Sequence, residues 1–434
     1  MSDFELTGDT LDTSDDIGSI SSTLDTLDIG ESAQKPSKLE DSLASVTYGE
    51  LVDSIRACRL KVYEYRDYLT PRTSPPSEED WPWSFVSKVD DLSDAKGKGR
   101  DFLVYAGFLY QRNFRLSPSP SFRSPSYGDT YARPSSGSGG GSGSFASAYS
   151  SQRTAVALKE SVRSIHRSGN RPALIGAFLK EIRFITRLES CRNIISMFGV
   201  AFIGVGDEVK PALVLELALS NLTEFIKEGF NGTSVSWNLK TLFASQICDA
   251  LQALHSHGFI HADVKGQNVL IFSHKKSEFC AKLSDFGNCV PLNATAPYIA
   301  AGTQYYLAPE CLVLDNSIIP SSHRAWGDLY GNAQYRDIYA FGLLVWELAT
   351  NCECPPFFDL STDAVDVVQM KHSDSDQAMG YLLDRVPPHT PTHLRGVISG
   401  ALRTNPQKRA LLIDIGREFE QVLSLQINLS FSPQ

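Results

Sequence analysis

Residues 259–272 read FIHADVKGQNVLIF. A histidine is followed two residues on by an aspartate, then by a lysine and an asparagine, His261, Asp263, Lys265 and Asn268. Spacing this close and irregular fits neither the 3.6-residue period of a helix face nor the two-residue period of a strand face. The stretch therefore reads as a polar loop running into a short apolar strand, NVLIF. One position stands out within it. Between the histidine and the aspartate lies a methyl side chain, Ala262.

Outward from this loop the pattern is globular. LKTLFASQICDALQALHSHG, residues 239–258, places Leu239, Leu242, Phe243, Ile247, Leu251 and Leu254 on one side of a helix, with Gly258 as its stop. PALVLELA, residues 211–218, and RTAVALKE, residues 153–160, read as strands, and GAFLKEIRFITRLES carries helical spacing at Phe178, Ile182 and Ile185. LSDFGN follows the loop with Asp285, and the chain beyond Glu310 is mostly helical in pattern. Strands first and helices afterwards predict an α+β architecture.

The charged residues form an inventory. Phosphoryl transfer from ATP needs a lysine at the phosphates, a carboxylate holding that lysine, oxygen ligands for Mg²⁺, and a carboxylate to orient the attacking hydroxyl. Taken singly the residues are ordinary: Lys159 as a solvated strand end, Glu181 as a solvated helix residue, His261 as a core histidine. Their order along the chain resembles the eukaryotic-type protein kinases of the serine/threonine class, over residues 137–425. VALK gives Lys159, and Glu181 on the following helix would be its ion-pair partner. HADVKGQN resembles the catalytic loop of a kinase that lacks the arginine before the aspartate, and is similar to loops of some fungal kinase-like proteins. The resemblance implies Asp263 as base, Lys265 near the γ-phosphate, and Asn268 and Asp285 on magnesium. GTQYYLAPE would close the activation segment, with Thr303 touching the catalytic loop. Asp337 would anchor a central helix, Arg409 would pair with Glu310, and His261 would stack with Phe286, Ile185 and Met197. Leu215 would guard the nucleotide pocket. Backbone groups from Glu216 to Ala218 would meet adenine, and Ala157 and Leu270 would sandwich it.

What the resemblance implies is a bilobal fold: a small, mainly β lobe, a larger, mainly α lobe, and an N-terminal extension. The cofactors would be ATP and Mg²⁺, and the partners protein substrates. Three departures stand out. The best glycine-rich candidate is GSGSFASAY, with Gly141, Gly143 and Phe145 at its tip, but Ala146 replaces the third glycine and Gly141 lies only 18 residues before Lys159. Starting at Gly137 repairs the spacing and loses the aromatic tip. NSIIPSSHRAWGDLYGNAQYR, residues 316–336, looks like an insertion near the substrate-docking face, and Gln267 argues against a strongly basic substrate. A scaffold that binds nucleotide weakly and signals by contacts stays open beside the active enzyme, and a small-molecule phosphotransferase is disfavoured by GTQYYLAPE.

The flanks follow from composition. The chain has 434 residues, 42% hydrophobic, with a net charge of −10. Residues 1–45 carry eleven acidic residues against two lysines, and this acidic, Ser/Thr-rich tail is expected to be disordered. Residues 46–114 contain two ordered candidates: a helix with Leu51, Ile55, Cys58 and Val62 on one face, and DFLVYAGFLYQRNF. Their role is not legible, and a regulatory partner is expected for residues 1–114. Residues 115–136 form a Ser/Pro-rich linker, 137–425 the kinase domain, and 426–434 a C-terminal tail. There is no basic stripe for nucleic acid, no membrane span and no signal peptide. The eight cysteines are scattered, which predicts reduced thiols in a protein inside the cell, cytoplasmic or nuclear.

Overall fold

A computed structural model describes residues 51–52, 55–56, 60–65, 84–88, 97–98, 102–114, 149–164, 171–204, 209–230, 232–274, 277–292, 303–312, 333–360 and 364–430. The fold is bilobal, with a curled β-sheet lobe ahead of a helical one.

The small lobe contains β1 (Val62–Tyr65), β2 (Ser84–Lys88), β3 (Gly97–Lys98), β4 (Phe102–Phe114), β5 (Tyr149–Ser161), α1 (Arg171–Arg187), β6 (Met197–Ile203) and β7 (Lys210–Glu216). The strand order is β2-β1-β6-β7-β5-β4-β3, and β2 also pairs with β4. That additional pairing closes β2, β1, β6, β7, β5 and β4 into a ring. Side chains alternate along a strand, and the alternation fills the ring. Tyr63, Val86, Leu109, Val156, Leu158, Ala201 and Val214 form one buried cluster inside it. Their neighbours Ala157, Val200, Leu213 and Leu215 face the other way, into the main core shared with Phe178 and Ile182 of α1.

The extension of unassigned role thus supplies β1 to β4 of the sheet that carries Lys159. Of DFLVYAGFLYQRNF, the thirteen residues from Phe102 to Phe114 form β4. The helix expected to reach Val62 stops short: residues 51–52 and 55–56 are helical, whereas Val62 opens β1. Val62, Tyr63 and Glu64 pair in parallel with Val200, Ala201 and Phe202, and this sheet pairing overrides the helical spacing. Cys58 lies outside the described residues.

The large lobe runs through β8 (Ser220–Asn221), α2 (Leu222–Glu228), α3 (Trp237–Ser256), β9 (Phe259–Ile260), β10 (Val269–His274), β11 (Glu278–Leu283), β12 (Val290–Pro291), α4 (Ala333–Ala349), α5 (Ala364–Lys371), α6 (Gln377–Leu383), α7 (Thr392–Ala401) and α8 (Leu412–Ser430). α3 is the long helix read from the sequence. Ser236 caps it by accepting from Leu239 N, and Phe243, Ile247, Leu251 and Leu254 are buried. Gly258 follows at φ +82°, a conformation that costs glycine little. α4 is buried from Arg336 to Ala349. The stretch read as an insertion, 316–336, lies mostly outside the described residues; its last four residues form the first turn of α4. Among the described residues no helix is long and apolar enough to cross a membrane.

Candidate active site

Asp263 owes its position to Asp337. The backbone turns sharply at Ala262, which adopts φ +67°, a left-handed conformation costing a β-carbon residue about 1–2 kcal/mol. Three hydrogen bonds to the Asp337 carboxylate hold the turn: from His261 N at 2.7 Å, from Ala262 N at 2.9 Å and from His255 Nε2 at 2.9 Å. Burial alone would raise the Asp337 pKa, but His255 and the backbone of His261 hold it below the ordinary carboxylate range. The His261 ring meets Ser284 O at 3.0 Å and Phe286 edge-on at 5.5 Å. Ile185 and Met197 lie in the same apolar core.

Every oxygen of the Asp263 carboxylate is engaged. Oδ1 accepts from Thr303 N at 3.0 Å and Thr303 Oγ1 at 2.8 Å. Oδ2 accepts from Lys265 Nζ at 2.8 Å, Asn268 Nδ2 at 3.0 Å and Asn288 Nδ2 at 3.4 Å. Lys265 Nζ also donates to Thr303 Oγ1 at 2.7 Å. Burial pushes the Asp263 pKa up, and these donors, Lys265 foremost, bring it below its ordinary value. Asp263 is thus an ionised, fixed acceptor beside a cation. Asn288 was not singled out from the sequence; an amide just past DFG is a plain signal once its neighbours are known.

The second charged group lies across the cleft. Lys159 Nζ reaches Glu181 Oε1 at 2.6 Å and Asp285 Oδ1 at 2.9 Å. Burial alone would lower the lysine pKa, but the two carboxylates overcome that and raise it above the usual lysine range. Asp285, in turn, is held below its ordinary value against its own burial, chiefly by Lys159. Its side chain remains about half exposed, at 47%, and so faces the cleft. Ala157 pairs with Leu215 across β5 and β7, and Leu270 lies on β10, half buried. The Glu216 side chain accepts from Ser196 N and Lys282 Nζ, which anchors the link between the lobes. Leu215 is buried.

Gly141 and Gly143 lie outside the described residues. The strand after them, β5, is extended over thirteen residues from Tyr149 to Ser161, so Tyr149 stands about 33 Å from Lys159 at roughly 3.3 Å per residue. A different strand pair lies beside Lys159 in the sheet. Gly97 and Lys98 of β3 pair with Val104 and Leu103 of β4, Val104 pairs with Lys159, and the Phe102 ring lies 5.1 Å from Lys159 Nζ. The sequence there reads GKGRDFLV, residues 97–104. Two glycines one residue apart before an apolar strand were the signal. They do not stand just ahead of Lys159 in the sequence, because residues 115–148 separate the paired strands β4 and β5.

The donor set fits Mg²⁺. Asn268 Nδ2 donates to Asp263 O and Oδ2, which leaves the amide oxygen on the opposite side of the group, and Asp285 offers a carboxylate. Among the described residues there is no group of three or more His, Cys, Asp or Glu able to hold a metal. Mg²⁺ commonly takes one or two protein oxygens and completes its shell with phosphate and water.

A profile for the protein kinase domain matches residues 136–418. The chain belongs to the protein kinase family. A MAPK/MAK/MRK overlapping kinase of Mus musculus is 33% identical over 138 residues, 32% of this chain and 31% of the mouse protein. A probable serine/threonine-protein kinase of Dictyostelium discoideum is 27% identical over 259 residues, 59% of this chain and 14% of that protein. An inactive tyrosine-protein kinase of Caenorhabditis elegans is 30% identical over 201 residues, 45% of this chain and 20% of that one. The matches therefore span less than a third of these relatives' own lengths. The kinase match begins at residue 136, so β1 to β4 fall outside it although they share a sheet with Lys159.

Proposed function

We propose that this kinase transfers the γ-phosphate of ATP to serine or threonine hydroxyls of protein substrates, with Mg²⁺. The observation that carries the reading is the convergence of Lys159, Glu181 and Asp285 on one side of the cleft with Asp263, Lys265, Asn268 and Thr303 on the other. Lys159, fixed by Glu181, positions the phosphates. Asp285 and Asn268 hold the cation, which supplies charge neutralisation when bound. Asp263 orients the substrate hydroxyl and takes its proton, while Lys265 offsets charge developing at the transferred group. Thr303 holds Asp263 and the substrate platform in one register. Ala157, Leu270 and the backbone of Glu216 to Ala218 form the adenine slot.

The paired strands β3 and β4 mark the lid over the phosphates in place of Gly141 and Gly143, with Phe102 screening Lys159 from water. Activation-segment phosphorylation is not required, because no arginine stands at position 262 to receive it. The existence of an inactive relative favours a second reading, a nucleotide-binding scaffold. Labelled ATP, Mg²⁺ and a generic protein substrate separate the two. Wild type should transfer label, and Asp263→Asn should lose about 10²–10⁴-fold of the rate. Nucleotide binding with no transfer by wild type would support the scaffold.

A further inference from the structure

Residues 51–52, 55–56 and 60–65 have a place in this lobe that phosphotransfer chemistry does not account for. β1 lies between β6 and β2 and runs parallel to both. Val200 N donates to Lys61 O at 2.9 Å, and Tyr63 Oη donates to Phe198 O at 3.3 Å. β6 is shaped to receive β1: a Cβ added at Gly199 would meet Lys61 O at 2.3 Å and Tyr63 Cε2 at 2.9 Å. Tyr63 enters the ring interior, while Val62 and Leu60 pack against the main core. Before the strand, Leu51, Val52 and Ile55 are 2%, 8% and 1% exposed. They belong to the one continuous core that also holds Ile175, Phe178, Leu179 and Ile182 of α1, Val200, Phe202 and Leu213 of the sheet and, further into the molecule, Phe243 and Ile247 of α3. α1 carries Glu181, whose carboxylate fixes Lys159.

One short segment thus joins the barrel wall and the core that seats α1. Without β1 the ring opens between β6 and β2, leaving two strand edges unpaired. Leu51 and Ile55 precede β1, which pairs with β6, so their loss takes apolar cover from the small-lobe part of the core that α1 shares, and the helix that positions Glu181 becomes freer to move. We propose that residues 51–52, 55–56 and 60–65 are a built-in strut that seats α1 and so sets the Lys159–Glu181 pair, making the catalytic unit begin near residue 51 rather than at 136. They are positioning residues: β6 and β7 stand between β1 and β5, which carries Lys159. The consequence for activity rests on the kinase reading; the consequence for α1 does not.

The experiment uses the full chain carrying Leu51→Ala and Ile55→Ala together, and reads amide hydrogen exchange beside phosphotransfer. Amides of α1 should exchange at least about tenfold faster, while those of α3 in the large lobe stay unchanged, the signature of a local opening. Phosphotransfer should fall by a similar factor with the KM for protein substrate unchanged. Tyr63→Phe, which removes one hydrogen bond, should move α1 exchange in the same direction by about two- to threefold. Unchanged exchange in α1 of the double variant overturns the proposal. Equal loosening of α1 and α3 overturns it too, since the segment would then be a general stabiliser. A wild type without phosphotransfer counts against the kinase reading alone, and the exchange comparison still decides the strut.

Discussion

Asp263 finds Lys265 two residues away and Asn268 five residues away. Lys159 finds Glu181 after 22 residues and Asp285 after 126. The two halves of one cleft are built on different scales. The aspartate side is a local loop, locked from beneath by Asp337. The lysine side exists only once a ring of strands has closed and α1 has docked on it. A local constellation carries its chemistry in its spacing. A distributed one depends on pairings between segments far apart in the chain, and its failures should appear as loosened geometry rather than as missing groups.

The largest effects test the chemistry shared by both halves. Lys159→Met and Asp285→Asn should each reduce phosphotransfer by at least about 10²–10³-fold, as loss of a preorganised charge does at the reacting centre. Circular dichroism and melting temperature should stay near wild type. Full activity in either variant would remove that residue from the assigned machinery.

Next comes a contact within the large lobe. Arg409 donates to Glu310 through both terminal nitrogens, at 2.6 and 2.7 Å, and to Tyr335 O at 2.9 Å. The Arg409 side chain is 0% exposed. Glu310→Ala leaves a buried cation without its carboxylate, which costs about 3–5 kcal/mol. Thermal unfolding should show a large drop in melting temperature; an unchanged value would mean that solvent reaches Arg409 in the variant.

The comparison also explains what was legible. His261, Asp263, Lys265, Asn268 and Asp285 stand in short motifs, and the structure brings them together. Phe243, Ile247, Leu251, Leu254 and Gly258 fixed a long helix and its end by periodicity and turn chemistry alone. The pairing of Val62–Tyr65 with β6 was not legible, since four residues satisfy strand and helix spacing alike and only the distant partner strand decides. The proposed lid, β3 with β4, gave no signal just ahead of Lys159, because residues 115–148 stand in the sequence between β4 and its sheet neighbour β5. Lys371 gave no signal either. A lysine at a helix end ordinarily reads as solvated, yet here it is 0% exposed and donates to Tyr305 O and Leu307 O at 2.8 and 2.7 Å.

The lid assignment can be broken directly. Gly97→Val places a β-branched side chain on β3, across β4 from Lys159. It should raise the KM for ATP severalfold, worth about 1 kcal/mol, with little change in the KM for protein substrate. Gly141→Val and Gly143→Val should leave both values at wild type. The opposite pattern would return the lid to the segment before Tyr149.

Lys371 offers a smaller, pH-dependent test. Burial pushes its pKa down to about 7 from 10.5. Between these values the unfolded chain binds a proton that the folded chain does not, so stability contributed by this group rises with pH across that window. Lys371→Met lacks the proton and should flatten the slope. Chemical denaturation at a series of pH values from 7 upward should show wild type gaining on the variant. Parallel curves would mean that the ammonium stays charged, held by its two carbonyls and by the faces of Tyr339 and Phe357, 5.4 and 5.0 Å away.

The smallest expected effect concerns Ala262. An arginine at this position would be a buried cation waiting for a phosphate from the activation segment, which would order that segment by pairing with it. Alanine removes that receptor, and the segment end has other holds. Thr303 is tied to Asp263 and Lys265, Tyr306 Oη donates to Glu347, and Lys371 grips the carbonyls on either side of Tyr306. Phosphatase-treated enzyme and Thr295→Ala, a position outside the described residues, should therefore keep activity within about twofold. The cleft beside Ala262 is also lined by Arg336 of α4, which is 4% exposed. A buried guanidinium there sharpens the test. If dephosphorylation silences the enzyme and Arg336→Met does the same, the cation has moved from the catalytic loop to α4, and control by phosphate has moved with it. If neither change matters beyond twofold, the local holds are sufficient, and the aspartate side of the cleft is assembled without a switch.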